Sequence, residues 1–121
     1  MLRTLAVVSL VVGLGVSEAA AQAVSIVGTG AADCSTYLNQ IAKDRVFERE
    51  YFAWAQGFMS GVVMRSPPGR DENLRLTPIE FPIRAQMVFL KEYCTKNGEE
   101  KDFADAVLAL FQKLHEYSKQ P

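Results

Sequence analysis

The stretch EEKDFADAVLALFQKLHEYSK, residues 99–119, decides the fold class, because its apolar residues recur every three or four positions. That spacing places them on one face of an α-helix. Acidic residues begin the stretch, and Lys113, His115 and Lys119 lie near its end, as the helix dipole favours. The apolar face consists of Phe103, Val107, Leu110, Leu114 and Tyr117. The stretch predicts an amphipathic helix that needs other helices to cover its apolar face.

The preceding stretch, TPIEFPIRAQMVFLKEYCTKNG at residues 77–98, predicts another helix. Thr77, Pro78 and Glu80 match a capping box with proline at the first helical position, and Pro82 can also begin a helix. We therefore expect this helix to begin between Pro78 and Pro82. Its apolar face consists of Ile83, Met87, Leu90 and Cys94.

Asn97 and Gly98 separate these two predicted helices. Asparagine followed by glycine commonly ends a helix, because glycine accepts the left-handed conformation that the end requires. Asn97 and Glu100 have the spacing of a capping box, so we expect them to cap the last helix.

Two earlier segments also predict helices. DCSTYLNQIAK, residues 33–43, predicts a short one with Asp33 as its N-cap. YFAWAQGFMSGVVM, residues 51–64, belongs to a longer helix that we expect to run from about Phe47 to Met64. Its apolar positions are Phe52, Ala55, Met59 and Val62. The chain therefore predicts an all-α fold, a small single-domain bundle of about four helices around one core.

The longer of these helices contains Gly57 and Gly61, each of which costs about 1 kcal/mol relative to alanine. With Ala53 they form a stripe at intervals of four residues. A stripe without side chains lets another backbone approach, which favours a tight intramolecular helix crossing. The alternative is a groove or dimer seam for a protein partner, with large apolar anchors beside the stripe. The predicted partner-binding residues are Trp54, Gly57, Phe58, Met59 and Gly61.

Residues 1–23, MLRTLAVVSLVVGLGVSEAAAQA, have the layout of a secretory signal peptide, with a basic residue, an apolar run and small residues at the end. The apolar run from Leu5 to Val16 is shorter than the ~20 residues that span a bilayer, which disfavours an uncleaved anchor. We expect signal cleavage, a single helical domain at residues 24–121, and a periplasmic or secreted location. The lead-in AVSIVGTGAA, residues 23–32, predicts a short extended piece at Val24 to Val27.

The chain has two cysteines, Cys34 and Cys94. In an oxidising compartment such a pair usually forms a disulfide, which here would close a loop of about 60 residues and staple the first helix to the third. A free or intermolecular thiol is the alternative. Redox catalysis usually uses a C-x-x-C motif, so the long separation argues against it.

The charges exclude some partners. The net charge is −1 with both signs interspersed, so neither nucleic acid nor an anionic membrane is an expected partner. The loop RSPPGRDENLRL, residues 65–76, is long enough to be functional or mobile, and we expect its three arginines to be solvated.

The sequence also indicates no catalytic machinery. His115 is the only histidine, and we expect it on the surface among charges. No zinc-ligand spacing, phosphate-binding glycine loop or nucleophile motif occurs in the sequence. We therefore expect no enzyme activity, no catalytic residue, no cofactor and no metal.

The chain contains, in this order, DCSTYL, a central helix, the LTP that begins the next helix, YCTKNG and a closing charged amphipathic helix. In the order of these segments, the chain resembles the small periplasmic acid-stress chaperones of the HdeA/HdeB type. The resemblance covers about Asp33 to Leu114 and implies an exported, all-helical protein with Cys34 and Cys94 as its disulfide pair. WAQGFMSG, residues 54–61, instead resembles the aromatic, glycine-spaced helix of Tai-type immunity proteins, which neutralise toxins delivered by type VI secretion.

Two functions are therefore predicted. The first is an acid-stress chaperone, as a monomer or a homodimer. Acid neutralises the carboxylates while lysine, arginine and histidine stay charged, and self-repulsion would loosen the chain or split a dimer. Apolar helix faces would then bind unfolded clients. The second is an immunity or inhibitor-type protein that binds one target through the Trp54 face or the loop at residues 65–76.

Overall fold

Four α-helices account for most of residues 25–119, the part of the chain that this computed structural model describes. They are α1 (Cys34–Lys43), α2 (Arg45–Arg65), α3 (Ile83–Asn97) and α4 (Phe103–Ser118), with short 3-10 helices at Gly28–Ala31 and Gly98–Glu100. The predicted all-α bundle is confirmed. The predicted signal peptide and Val24 lie outside the described residues, and residues 25–27 have no regular secondary structure. None of the helices within 25–119 is both long enough and apolar enough to cross a membrane.

The core forms around α4. Four of the five residues of its predicted apolar face are fully buried, and Tyr117 is half-buried. The Phe103 ring packs against Tyr37 and Tyr51, with ring centroids 4.6 and 4.8 Å apart. Burying one large apolar side chain contributes about 1.5–3 kcal/mol, so α4 supplies much of the stabilisation.

Helices α1 and α2 both begin at aspartate N-caps. Asp33 accepts a hydrogen bond from the backbone N–H of Thr36 at 2.6 Å, which confirms the predicted cap. Asp44 ends α1 and also caps α2, where its carboxylate accepts from the N–H of Val46 at 2.9 Å. Because of this shared residue, α2 begins at Arg45, slightly earlier than predicted.

The predicted capping box at Thr77 and Glu80 is wrong, because α3 begins at the second proline, with Pro82 as its N-cap and Ile83 as its first helical residue. The start therefore lies at the late limit of the predicted range. A proline disfavours helical backbone in the residue before it, so Phe81 cannot join the helix. Instead the N–H of Phe81 donates to the carbonyl of Pro78 at 3.2 Å and closes a turn.

The predicted cap of α4 is also wrong, although the predicted end of α3 is confirmed. Gly98 follows α3 with a φ of +53°, as a glycine at a helix end commonly does. The 3-10 helix after it displaces the start of α4, so Asp102 takes the cap position in place of Asn97. The N–H of Asp102 donates to the carboxylate of Asp105 at 3.0 Å.

A disulfide joins Cys34 at the start of α1 to Cys94 near the end of α3, as predicted. Two backbone hydrogen bonds of 2.8 Å lie beside it, from Cys34 N–H to the Lys101 carbonyl and from Phe103 N–H to the Ala32 carbonyl. They tie the start of α1 to the start of α4. We call this region the disulfide end. The segment 66–82 connects α2 to the start of α3, and therefore lies at the opposite end of α3, about 20 Å away.

Candidate functional site

The glycine stripe of α2 faces solvent. Ala53, Gly57 and Gly61 are exposed, and a Cβ built on either glycine would meet no atom of another element of residues 25–119 within 4 Å. The predicted tight intramolecular helix crossing at this stripe is therefore wrong. Met64, which is 83% exposed, extends the same surface. We call Ala53, Gly57, Gly61 and Met64 the open face of α2.

Trp54 packs against the segment that precedes α1. Its indole Nε1 donates to the carbonyl of Val27 at 3.2 Å. Gly30 lies directly against the indole, because a Cβ built on Gly30 would fall 2.0 Å from two ring carbons of Trp54. The close approach that glycine permits thus occurs in the lead-in rather than on α2. Sequence reasoning missed it because a glycine in an aperiodic segment does not indicate its neighbour.

The five predicted partner-binding residues do not form one surface. Phe58 is half-buried and stacks on Trp54, with ring centroids 5.2 Å apart. Met59 is fully buried in the core, so it cannot anchor a partner on the folded surface. The structure therefore brings Trp54 and Phe58 together and leaves Gly57 and Gly61 on the open face.

Residues 66–82 pack onto the core, and we call them the strap. Leu74, Leu76 and Phe81 contact the core cluster from this segment. The ring of Phe81 also stacks on Tyr117 at the end of α4, with centroids 5.0 Å apart. The expected solvation of the arginines agrees with the exposure of Arg65, Arg70 and Arg75. Leu74 and Leu76, which lie among the charged residues of this segment, were the sequence signal that it packs on the core.

A buried amide fastens the strap to α3. Gln86 has no exposed surface, and its Nε2 donates to the carbonyls of Leu76 at 2.9 Å and Phe81 at 3.0 Å. These bonds satisfy two strap carbonyls that packing removes from water. Apolar periodicity cannot reveal such a residue, and Gln86 was missed.

Asp71, in the middle of the strap, is the one charged residue that is buried within the described chain. Its side chain is only 4% exposed and contacts the hydroxyl of Ser66. The Nε2 atom of His115 lies 3.0 Å from Oδ1 of Asp71, although no donor is aligned with Oδ1 as a hydrogen bond requires. The expectation for His115 is corrected, since its side chain is only 30% exposed and lies against the strap.

Ser66, Asp71 and His115 are not arranged for nucleophilic catalysis. The carboxylate lies between the hydroxyl and the imidazole, whereas a nucleophilic serine needs the imidazole beside it as a base. Residues 25–119 also contain no group of three or more His, Cys, Asp and Glu side chains that could hold a metal ion. What the cluster can do is hold the strap on α4 through contacts that depend on protonation.

Comparisons with protein-family models, with curated proteins and with solved structures gave no match to this chain. The resemblances to the HdeA/HdeB-type chaperones and to the Tai-type immunity proteins stay predictions. The candidate functional features of the described residues are the strap with its buried carboxylate and the open face of α2.

Proposed function

We propose that the protein is an exported, non-enzymatic chaperone that releases its strap in acid and binds unfolded proteins with the apolar surface beneath it. The observation that supports this function most is the burial of the Asp71 carboxylate between the strap and α4. A carboxylate in that position makes the packing of the strap depend on pH. The predicted secretory signal peptide is consistent with a compartment that is exposed to external acid.

The contact of the strap that acid would weaken most is the one made by the buried Asp71. At neutral pH its negative carboxylate lies against the imidazole of His115 and the hydroxyl of Ser66. Protonation of a carboxylate in acid removes its negative charge. The contacts that Asp71 makes with His115 and Ser66 in the middle of the strap would then weaken.

A second strap contact weakens as the pH falls. A backbone hydrogen bond and the positive charge of Arg75 lower the pKa of Glu80 below its ordinary value. The ion pair between Arg75 and Glu80, 3.3 Å long, is therefore present above the ordinary carboxyl pKa and is lost as the pH falls through the lowered one. Both side chains are half exposed, so this pair contributes less than the buried Asp71.

Repulsion between positive charges assists the release. When nearby carboxylates are neutral, the strap and the end of α4 keep only cationic groups, which repel one another at close range. These groups are Arg70, Arg75, Lys113, His115 and Lys119, and Arg65 at the end of α2 adjoins them.

Release of the strap would expose apolar surface without opening the whole bundle. Leu76 and Phe81 would leave the core, and the ring of Tyr117 would lose its stacking partner. The disulfide and the backbone bonds beside it lie at the opposite end of α3 and α4. They contain no titrating group and would keep the helices in register for refolding at neutral pH.

The test is a titration of purified, oxidised protein from neutral pH to about pH 2, followed by ANS fluorescence and by light scattering of an acid-denatured reporter enzyme. We expect ANS binding and protection of the reporter to appear together below about pH 4, where carboxylates become neutral. Asp71→Asn carries a neutral side chain of the same shape, so its transition should begin at a higher pH.

Glu72→Gln is the matched control, because it removes an adjacent but exposed carboxylate from the same strap. It should leave the transition close to that of the unaltered protein. The chaperone function is wrong if the unaltered protein binds no ANS and protects no reporter anywhere in the titration.

A second candidate, an immunity or inhibitor-type binding protein, is favoured by the open face of α2. Gly57 and Gly61 leave the backbone of α2 accessible, so a helix or loop of a target protein could approach it closely. This function needs a rigid surface. It is supported if the protein stays compact and binds no ANS from neutral pH to about pH 2.

A further inference from the structure

The outer surface of α3 carries apolar side chains exposed to solvent. Val88 on this surface is 50% exposed. A neighbouring groove of about 520 Å³ is lined by Phe81, Ala85, Val88 and Phe89, together with Arg84 and Glu92. We call this groove and its two charged residues the α3 face. Neighbouring apolar side chains of this kind are typical of a surface that binds another protein.

The charges of the α3 face are symmetric about Val88. Arg84 lies four residues before Val88 and Glu92 lies four residues after it, so each is about one helical turn, or ~6 Å, away on the same side of α3. If a second copy of α3 packs antiparallel about a two-fold axis at Val88, Arg84 of each copy comes opposite Glu92 of the other. A parallel copy would bring the two Arg84 side chains together. The antiparallel arrangement is therefore self-complementary, as an isologous interface must be.

The remaining residues also suit this symmetry. The same axis places Ala85 of one copy opposite Lys91 of the other. The small side chain of Ala85 leaves room for the methylene groups of Lys91, whose ammonium group can stay in water. Along the paired positions from Arg84 to Glu92, no like charges face each other.

We propose that the protein forms a two-fold symmetric homodimer through α3, with Val88 at the axis and two ion pairs between Arg84 and Glu92 of the two copies. Burial of the groove supplies most of the affinity, while the ion pairs fix the antiparallel orientation, since exposed ion pairs contribute little by themselves. A contact along one helix is small, so we expect a reversible dimer with a Kd of about 10–100 μM. The dimer forms at neutral pH and does not rest on the proposed chaperone function.

The test is sedimentation equilibrium of the oxidised protein at neutral pH and low salt. Glu92→Arg places two arginines opposite each other and should raise the Kd about tenfold or more. Arg84→Glu should do the same by opposing two glutamates. The double variant Arg84→Glu with Glu92→Arg recreates both pairs with reversed charge, so it should return the Kd to about the original value.

Gly57→Leu is the matched control, because it adds a bulky side chain to the open face of α2, where a Cβ at position 57 meets none of the described residues within 4 Å. It should leave the α3 dimer unchanged. The proposal is overturned if the unaltered protein is monomeric at millimolar concentration, or if the double variant fails to recover dimerisation. It is also overturned if Gly57→Leu alone abolishes the dimer, because α2 would then be the interface. Helical circular dichroism of each variant distinguishes lost dimerisation from lost folding.

Discussion

Gly57 and Gly30 differ in what a side chain would meet. Gly57 lies inside α2, and a Cβ added there has no neighbouring atom within 4 Å in the described part of the chain. Alanine has the higher helix propensity, so Gly57→Ala should stabilise the protein by about 1 kcal/mol. Urea denaturation followed by circular dichroism measures this change. A clearly destabilised Gly57→Ala variant would mean that another surface covers this part of α2.

Gly30→Ala should have the opposite effect. The new Cβ would lie 2.0 Å from two ring carbons of Trp54, which no real contact permits, so the lead-in or the indole must move. The hydrogen bond from Trp54 to the Val27 carbonyl would then be strained or lost. We expect a loss of about 1–3 kcal/mol, as for other overpacked sites, together with a shift in tryptophan fluorescence. Unchanged stability and fluorescence would show that the lead-in does not pack on Trp54.

Gly57 and Gly30 also show what the spacing of residues along the sequence can and cannot predict. Intervals of four correctly indicated that Gly57 and Gly61 share one stripe of α2. Spacing along one helix carries no information about whether another element covers the stripe, and none does within residues 25–119. Gly30 is needed because it meets Trp54 from a different segment, and contacts between segments are set by the tertiary fold.

At the scale of elements, the N-cap of α1 makes a direct prediction. Both carboxylate oxygens of Asp33 contact Thr36, one at its backbone N–H and one at its hydroxyl. Asp33→Ala leaves that N–H without its acceptor and should cost about 1 kcal/mol, measured by urea denaturation. Asp33→Asn retains a capping oxygen, so it should cost much less. Equal losses in the two variants would mean that the negative charge, rather than the capping oxygen, stabilises α1.

The elements divide into those that periodicity predicts and those that it does not. Helices with a sustained apolar face were predicted, because the face is repeated over several turns. The start of α3 was predicted only to within Pro78 and Pro82, because either proline can begin a helix, and the structure has the second as the N-cap. The strap was read as a loop because its leucines are separated by charges. Its packing depends on Gln86 and on α4, which are distant in sequence or outside any repeat.

At the scale of the whole molecule, the two ends of the bundle are held by different chemistry. The disulfide end combines one covalent bond with backbone hydrogen bonds that do not titrate. The strap end relies on the Asp71 and His115 contact and on the pair of Arg75 with Glu80. At the first end, the two cysteines, together with the predicted export, indicated the disulfide but not the backbone hydrogen bonds beside it. The second could not be predicted, because Asp71 and His115 come together only after the helices pack.

The tyrosines in the core predict how the whole protein responds to alkali. Tyr37 is 2% exposed, and burial, followed by the negative charge of Glu48, raises its pKa well above the ordinary 10.0. Burial, followed by the charge of Asp33, raises the pKa of Tyr51 as well. The folded state therefore keeps both phenols neutral at a pH where the unfolded chain ionises them. Their contribution is complete below about pH 10 and is lost as the pH rises above it.

Tyr37→Phe tests this dependence, because it keeps the ring against Phe103 and removes the ionisable hydroxyl. Above about pH 10, each buried tyrosine should lower the free energy of unfolding by up to about 1.4 kcal/mol per pH unit. Urea denaturation between pH 8 and pH 11 should therefore give a smaller slope for Tyr37→Phe than for the unaltered protein. Lysine deprotonation affects both proteins alike and cancels in the comparison. Identical slopes would mean that the Tyr37 hydroxyl is accessible to water, contrary to its place between α1, α2 and α4.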